Sequence, residues 1–179
     1  PRGYGVTLAN SLRRVALSSI PGTKVTGIKV KGVSHEYSTL PGIKDSVVDI
    51  MLNLKGLVVD KTDTGIEWLK LSKKKAGAVT AADITLPSGI KILNPEMYIT
   101  EIDQDKLELD IEIRIEKGVG YMSNEDLKER EDDVEVLLID ANFSPVENVK
   151  YDITSTRVAD LTNLDAMEMT ITTNGVLSP

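Results

Sequence analysis

Thr7-Leu8-Ala9-Asn10-Ser11-Leu12-Arg13-Arg14-Val15-Ala16-Leu17-Ser18-Ser19-Ile20-Pro21-Gly22 (residues 7–22) reads as one short helix with apolar residues on more than one side. The Thr7 hydroxyl is suited to cap its start. Pro21-Gly22 closes it, because proline has no N–H with which to continue the ladder. At about 100° per residue, Leu8, Leu12, Val15, Ala16 and Ser19 fall on one stripe, the face a domain is expected to bury. Leu17 falls on the opposite side, flanked by Asn10, Arg13 and Arg14. A leucine set among arginines on an outer face suits contact with another protein: the guanidinium groups give directional hydrogen bonds and the leucine gives area. A single exposed leucine is also ordinary, so spacing alone leaves both readings open.

Downstream of this helix, Val25 to Val30 reads as a strand and His35-Glu36-Tyr37 as irregular chain. A second helix is expected from about Ile43 to Leu54, with Ile43, Val47, Ile50, Met51 and Leu54 on one stripe and Gly56 as its stop. Val48 and Leu52 lie on its other side. The period then changes to two. Leu57 to Val59, Ile66 to Leu71, Ile90 to Leu93, Met97 to Ile102 and Leu137 to Ile139 are short strand candidates. The clearest is Leu107 to Glu116, where Leu107, Leu109, Ile111, Ile113 and Ile115 point one way and Glu108, Asp110, Glu112, Arg114 and Glu116 the other, one core face and one wet face. Ser123 to Asp133 is the most polar stretch, dominated by acids, and reads as a loop or frayed helix. Val149 to Val158 and Met167 to Thr173 alternate and read as a hairpin, joined by a loop through Asp160, Asn163 and Asp165. The order helix, strand, helix, many antiparallel strands, final hairpin gives an α+β fold with a β-rich middle.

With 179 residues, 41% hydrophobic and 27% charged, the chain is globular and large enough for a real core. Aromatics make up only 4%, so that core is aliphatic. A net charge of −7 argues against nucleic-acid binding by this chain itself. Lys73-Lys74-Lys75 is the one basic run and reads as a solvated turn. The absence of cysteine excludes disulfides and thiolate metal sites. No apolar run reaches the ~20 residues of a membrane span, and no signal peptide is evident. The opening Pro1-Arg2-Gly3-Tyr4-Gly5 and the closing Asn174-Gly175-Val176-Leu177-Ser178-Pro179 read as cut ends. Ser178-Pro179 announces a helix that does not follow.

Catalytic chemistry is thin. His35, the only histidine, stands beside Glu36. Adjacent positions on extended chain point apart, and no nucleophile signature accompanies them. Asp103-Gln104-Asp105 matches no calcium loop. Gly118-Val119-Gly120 lacks the third glycine of a dinucleotide loop. No catalytic, cofactor-binding or metal-ligating residue is assigned.

Gly5-Val6-Thr7-Leu8-Ala9-Asn10-Ser11-Leu12-Arg13-Arg14 resembles the hallmark segment of the bacterial-type (bacterial or plastid) DNA-directed RNA polymerase alpha subunit, N-terminal domain. The resemblance continues, in order, through Gly32-Val33-Ser34-His35-Glu36-Tyr37-Ser38-Thr39, Leu52-Asn53-Leu54-Lys55-Gly56-Leu57, Val79-Thr80-Ala81-Ala82-Asp83-Ile84, Gly118-Val119-Gly120-Tyr121, Phe143-Ser144-Pro145-Val146 and Thr173-Asn174-Gly175. Ala9 and Ser11 stand where many relatives carry glycine and alanine.

The resemblance implies two subdomains: a discontinuous dimerisation subdomain of helix and antiparallel strands (1–21 and 149–179) and a β-rich inserted subdomain (22–148). It implies a transcription role as the assembly platform of the polymerase. A homodimer built on Leu8, Leu12 and Val15 would recruit the beta and beta-prime subunits. Arg14 and Leu17 match residues that meet beta, with Arg13 beside them. Lys55, Leu138, Ile139, Asp140 and Arg157 are further candidates for beta or beta-prime. As part of a nucleotidyltransferase, the chain would hold no catalytic residue, and the magnesium would lie in the larger subunits. The expected setting is the bacterial cytoplasm or plastid stroma, with no direct nucleic-acid binding and no membrane contact. The first strand, the closing helix and the DNA-binding C-terminal domain of the family are not matched, which bears on dimerisation. A free-standing interaction scaffold and a small hydrolase using His35 are the alternatives.

Overall fold

The computed structural model describes residues 3–104, 107–158 and 161–178, with the backbone alone for 157, 158 and 161–163. It is an α+β arrangement. Helix α1 (Tyr4–Ser18) leads into strand β1 (Gly22–Val30), and helix α2 (Val47–Lys55) follows a long irregular connection. Strands β2 (Val59–Lys61), β3 (Ile66–Lys73), β4 (Gly77–Thr80), β5 (Ile84–Thr85), β6 (Ile90–Ile92), β7 (Tyr98–Ile102), β8 (Leu109–Gly118) and β9 (Tyr121–Met122) come next. Short helix α3 (Asn124–Lys128), strands β10 (Leu137–Leu138) and β11 (Ala141–Asn142), and the hairpin strands β12 (Val146–Val158) and β13 (Leu161–Thr173) complete the chain.

One antiparallel sheet dominates, in the order β5-β3-β8-β1-β2-β6, with β10 paired to the same edge of β1 as β2. Its inner face carries Val25, Ile28, Val30, Leu69, Leu71, Ile111, Ile113 and Ile115, all buried, with α2 adding Val47, Ile50 and Leu54. The period-two reading of β8 holds on that face. On the wet face it needs one correction, since Arg114 is only 4% exposed. The reason is local. Arg114 on β8 stands opposite Gly27 of β1, next to a bulge, and its guanidinium reaches over β1 to donate from Nε to Thr26 Oγ1 at 3.0 Å.

Helix α2 starts at Val47, not Ile43. Ser46 caps it by accepting from Asp49 N at 3.3 Å, and Asp49 Oδ2 accepts in return from Ser46 N at 3.2 Å. This reciprocal cap fixes the first turn, while Ile43 forms a β-bridge with Ile102. The first half of the acidic stretch forms α3, capped by Ser123 and Asp126 in the same manner, and the rest is turn and irregular chain.

The glycine-containing stretch Gly118-Val119-Gly120-Tyr121 and the stretch Phe143-Ser144-Pro145-Val146 meet in space. Phe143 N donates to Gly120 O at 2.8 Å, and strands β9 and β11 pair beside it. A methyl group on Gly118 would stand 2.7 Å from the Phe143 ring, and one on Gly22 would run into the Phe143 carbonyl oxygen. Phe143 is therefore packed directly on backbone at the junction between the large sheet and the hairpin. Overpacking of this kind is destabilising. Gly118→Ala is expected to lower stability by about 1–3 kcal/mol with secondary structure retained. Urea unfolding followed by circular dichroism measures it, and an unchanged midpoint would contradict this packing.

Candidate protein-interaction site

Helix α1 begins at Tyr4, a turn before Thr7, so Thr7 is not its cap. The cap comes from far along the chain: Asp165 Oδ2, on β13, accepts from Gly3 N at 2.9 Å and Gly5 N at 3.1 Å. A carboxylate at a helix N-terminus satisfies unpaired N–H groups and complements the dipole.

The seam between α1 and the hairpin is narrow and lined by small residues. Ala9 is fully buried. A methyl on Gly5 would stand 2.9 Å from Asp165 Cβ and 3.1 Å from Ile153 Cδ1. Arg13 donates from Nε to Val149 O at 3.2 Å, which binds this arginine into the seam. At about 100° per residue, Gly5 and Ala16 flank Ala9. The leucine stripe lies to one side of them, and Asn10, Arg14 and Leu17 lie to the other.

The expectation that the stripe is buried by the domain itself is overturned. Leu8 is 48% exposed, Leu12 43% and Val15 57%, while Tyr4 and Val6 are also exposed. Ala16, from the same stripe, is half-buried and turns toward the seam. Leu17 is also half-buried rather than fully outward, and Arg14 is exposed. Thus α1 touches its own chain through small residues and leaves large apolar ones uncovered.

A second site gathers around the end of α2. Lys55 Nζ and Asp140 Oδ1 stand 2.5 Å apart, and Tyr121 OH donates to Asp140 Oδ2 at 3.1 Å. A cleft of about 150 Å³ opens here between Val48, Leu52, Lys55, Leu138, Asp140 and the Glu36–Tyr37 turn. Leu52 and Tyr37 are exposed at its rim. Lys55, Leu138 and Asp140 are thereby brought together from distant parts of the sequence. Ile139 also lines this cleft, but it is 2% exposed and its side chain packs into the core. Arg157 falls on β12, and its side chain lies outside the described residues, as does Asp105.

His35 sits on an exposed turn, its Nδ1 3.2 Å and its Nε2 3.4 Å from the same Ser38 hydroxyl. Two ring nitrogens near one hydroxyl do not make the base–nucleophile–orienter geometry of a hydrolase. Lys73 pairs with Asp83 at 2.7 Å and donates to Ala78 O, so the basic run is partly tied down. Among the described residues no group of three metal-binding side chains occurs, and no helix is long and apolar enough to cross a membrane.

The Lys55 ammonium, opposed by burial and helped by the Tyr121 hydroxyl, holds Asp140 below the usual carboxylate range. In turn the bond to Asp140 raises the Tyr121 phenol above its ordinary 10.0. The sign follows for each group. Stabilisation from Asp140 is present above its ordinary value and is lost as pH falls through its lowered one. Tyr121 keeps its proton past 10.0 and loses the bond as pH rises through its raised value. Residue-specific NMR of the Tyr121 ring is expected to titrate above 10.0 in the wild type and lower in Asp140→Ala. Identical titrations would contradict the bond.

Residues 28–144 match the family described as the RNA polymerase Rpb3/RpoA insert domain. Over 178 residues, 99% of this chain, the sequence is 43% identical to the DNA-directed RNA polymerase subunit alpha of Alkaliphilus metalliredigens. It is 42% identical to that of Hydrogenobaculum sp. and 43% identical to that of Roseiflexus sp., again over 99% of this chain. The chain spans about half the length of these relatives: 56%, 56% and 54%.

Proposed function

The chain belongs to the RNA polymerase alpha-subunit family, and from that premise we propose that it is a non-catalytic assembly platform of DNA-directed RNA polymerase in the cytoplasm. In this reading α1 and the hairpin, 1–21 with 149–179, are the dimerisation subdomain. Residues 22–148 are the inserted subdomain. Two copies pair through the Leu8, Leu12 and Val15 stripe, while Arg14 and Leu17, on the other flank of α1, meet the beta subunit. Lys55, Leu138 and Asp140 form a second contact, to beta or beta-prime, with Arg157 as a further candidate. The reaction itself, its magnesium and the nucleic acid belong to the larger subunits.

The observation that carries this reading is the way α1 is held. Among the described residues its own chain holds it mainly along the seam of Gly5, Ala9, Arg13 and Ala16, and three large apolar residues stay 43–57% exposed. Contiguous apolar surface of this kind marks an interface, whereas scattered leucines do not. Arg13, spent on Val149, contributes structure more than contact. Arg14 is exposed one turn from a half-buried leucine, the arginine-plus-apolar pairing that interface centres favour.

Two substitutions separate the two flanks. In the full alpha chain, Arg14→Ala is expected to weaken association with the beta subunit by about 2 kcal/mol, roughly thirtyfold, with circular dichroism unchanged. Leu12→Glu is expected to shift sedimentation toward the monomer. Wild-type affinity of the first variant for beta would contradict the assignment of that flank. An unaltered dimer in the second would contradict the stripe.

A further inference from the structure

A strap of chain runs from the end of α3 across the outer face of the large sheet to the Lys55–Asp140 cleft. Three groups seat it. The Glu131 carboxylate pairs with the buried Arg114 guanidinium. Asp133 pairs with Lys29 at 2.5 Å, and Lys29 in turn lies 5.2 Å over the Trp68 ring. Val136 then covers Gly27, so closely that a methyl on Gly27 would stand 2.8 Å from Val136 Cγ1. Beyond it, Leu137 and Leu138 pair with β1, and Ile139 N donates to Thr26 O at 2.9 Å.

Thr26 is where these contacts converge. It is the extra residue of a bulge in β1, between Val25 opposite Ile115 and Gly27 opposite Arg114. A bulge leaves its extra residue out of the ladder and re-aims it. Its hydroxyl accepts from Arg114 Nε and its carbonyl accepts from Ile139 N. The next residue along the strap is Asp140, the partner of Lys55.

We propose that Arg114 is a positioning residue: by holding both Glu131 and Thr26 it latches the strap 129–139 to the sheet and so sets Leu138 and Asp140 in the docking cleft. Its guanidinium spans the two anchors at once, with Nε on Thr26 and Nη1 on Glu131. A lysine has one charged nitrogen and cannot keep both bonds in this geometry. Because Arg114 is 4% exposed, its charge depends on Glu131 for compensation, which favours the closed strap over an open one. The functional half of this inference rests on the cleft being a contact for a larger subunit; the latch itself does not.

Hydrogen exchange tests the latch. In Arg114→Met, the amides of Leu137 to Ile139 are expected to exchange at least tenfold faster, while those of Ile111, Ile113 and Leu71 stay within about twofold, because local opening and global unfolding separate in exchange. Arg114→Lys is expected to recover part of the protection. Glu131→Gln, which keeps the sheet residues intact, accelerates the same strap amides and covers the case in which Arg114→Met does not fold. Equal acceleration of the strap and of the β3–β8 core, or none in the strap, overturns the latch.

Binding tests the coupling. Arg114→Met in the full alpha chain is expected to weaken capture of the beta and beta-prime subunits at least fivefold. On the Asp140→Ala background it should add nothing further. Additive losses overturn the coupling. If Asp140→Ala alone leaves capture unchanged, the docking reading of the cleft fails, and the exchange experiment still decides the latch.

Discussion

Gly5 stands so close to the hairpin that any side chain there would collide with Asp165 and Ile153. That close approach governs the rest of the molecule. It lets Asp165 reach the first turn of α1, lets Ala9 bury completely, and limits the helix's contact with its own chain to a strip of small side chains. Had the seam been built of leucines, the helix would have buried its apolar stripe at home. Because it is built of glycine and alanine, Leu8, Leu12 and Val15 stay outside on one flank and Arg14 on the other. The helix is held by backbone-level contacts and long-range hydrogen bonds, and its large apolar side chains stay exposed.

The same economy of side chains recurs at the junction below. Gly22 and Gly118 admit Phe143 against the backbone, and that packing joins the end of the large sheet to the start of the hairpin. On the sheet's outer face Gly27 makes room for Val136. In each case a missing Cβ lets two segments distant in sequence come within touching distance. The segments of the chain therefore meet at backbone contact distance where they join.

Much of this was legible in the sequence, and the failures are informative. Alternation gave β8 and the inner face of the sheet, because an antiparallel strand with one buried face must alternate. The helical period gave α1 and α2, and it separated the Leu8 stripe from Leu17. What it could not give was which flank the chain itself would cover: the packed strip is made of Gly5, Ala9 and Ala16, residues that add little to an apolar pattern. The cap of α1 was illegible for a related reason, since Asp165 lies on the far hairpin and Thr7 offered a nearer, incorrect cap. Arg114 read as a wet-face residue because nothing in β8 announces that its neighbour on β1 is a glycine beside a bulge. The resemblance pointed to Lys55 and to Leu138-Ile139-Asp140 separately. Their meeting, with Ile139 turned into the core, is a property of the pairing of β10 with β1.

Hydroxyl-radical footprinting, read residue by residue, tests most directly the claim that α1 offers two independent flanks. In dilute full-length chain, Leu8, Leu12 and Val15 should all be oxidised. Raising the concentration should protect that stripe alone, and adding the beta subunit should then protect Leu17. Protection of the stripe in the dilute monomer, or loss of reactivity at both flanks with a single partner, would contradict the account.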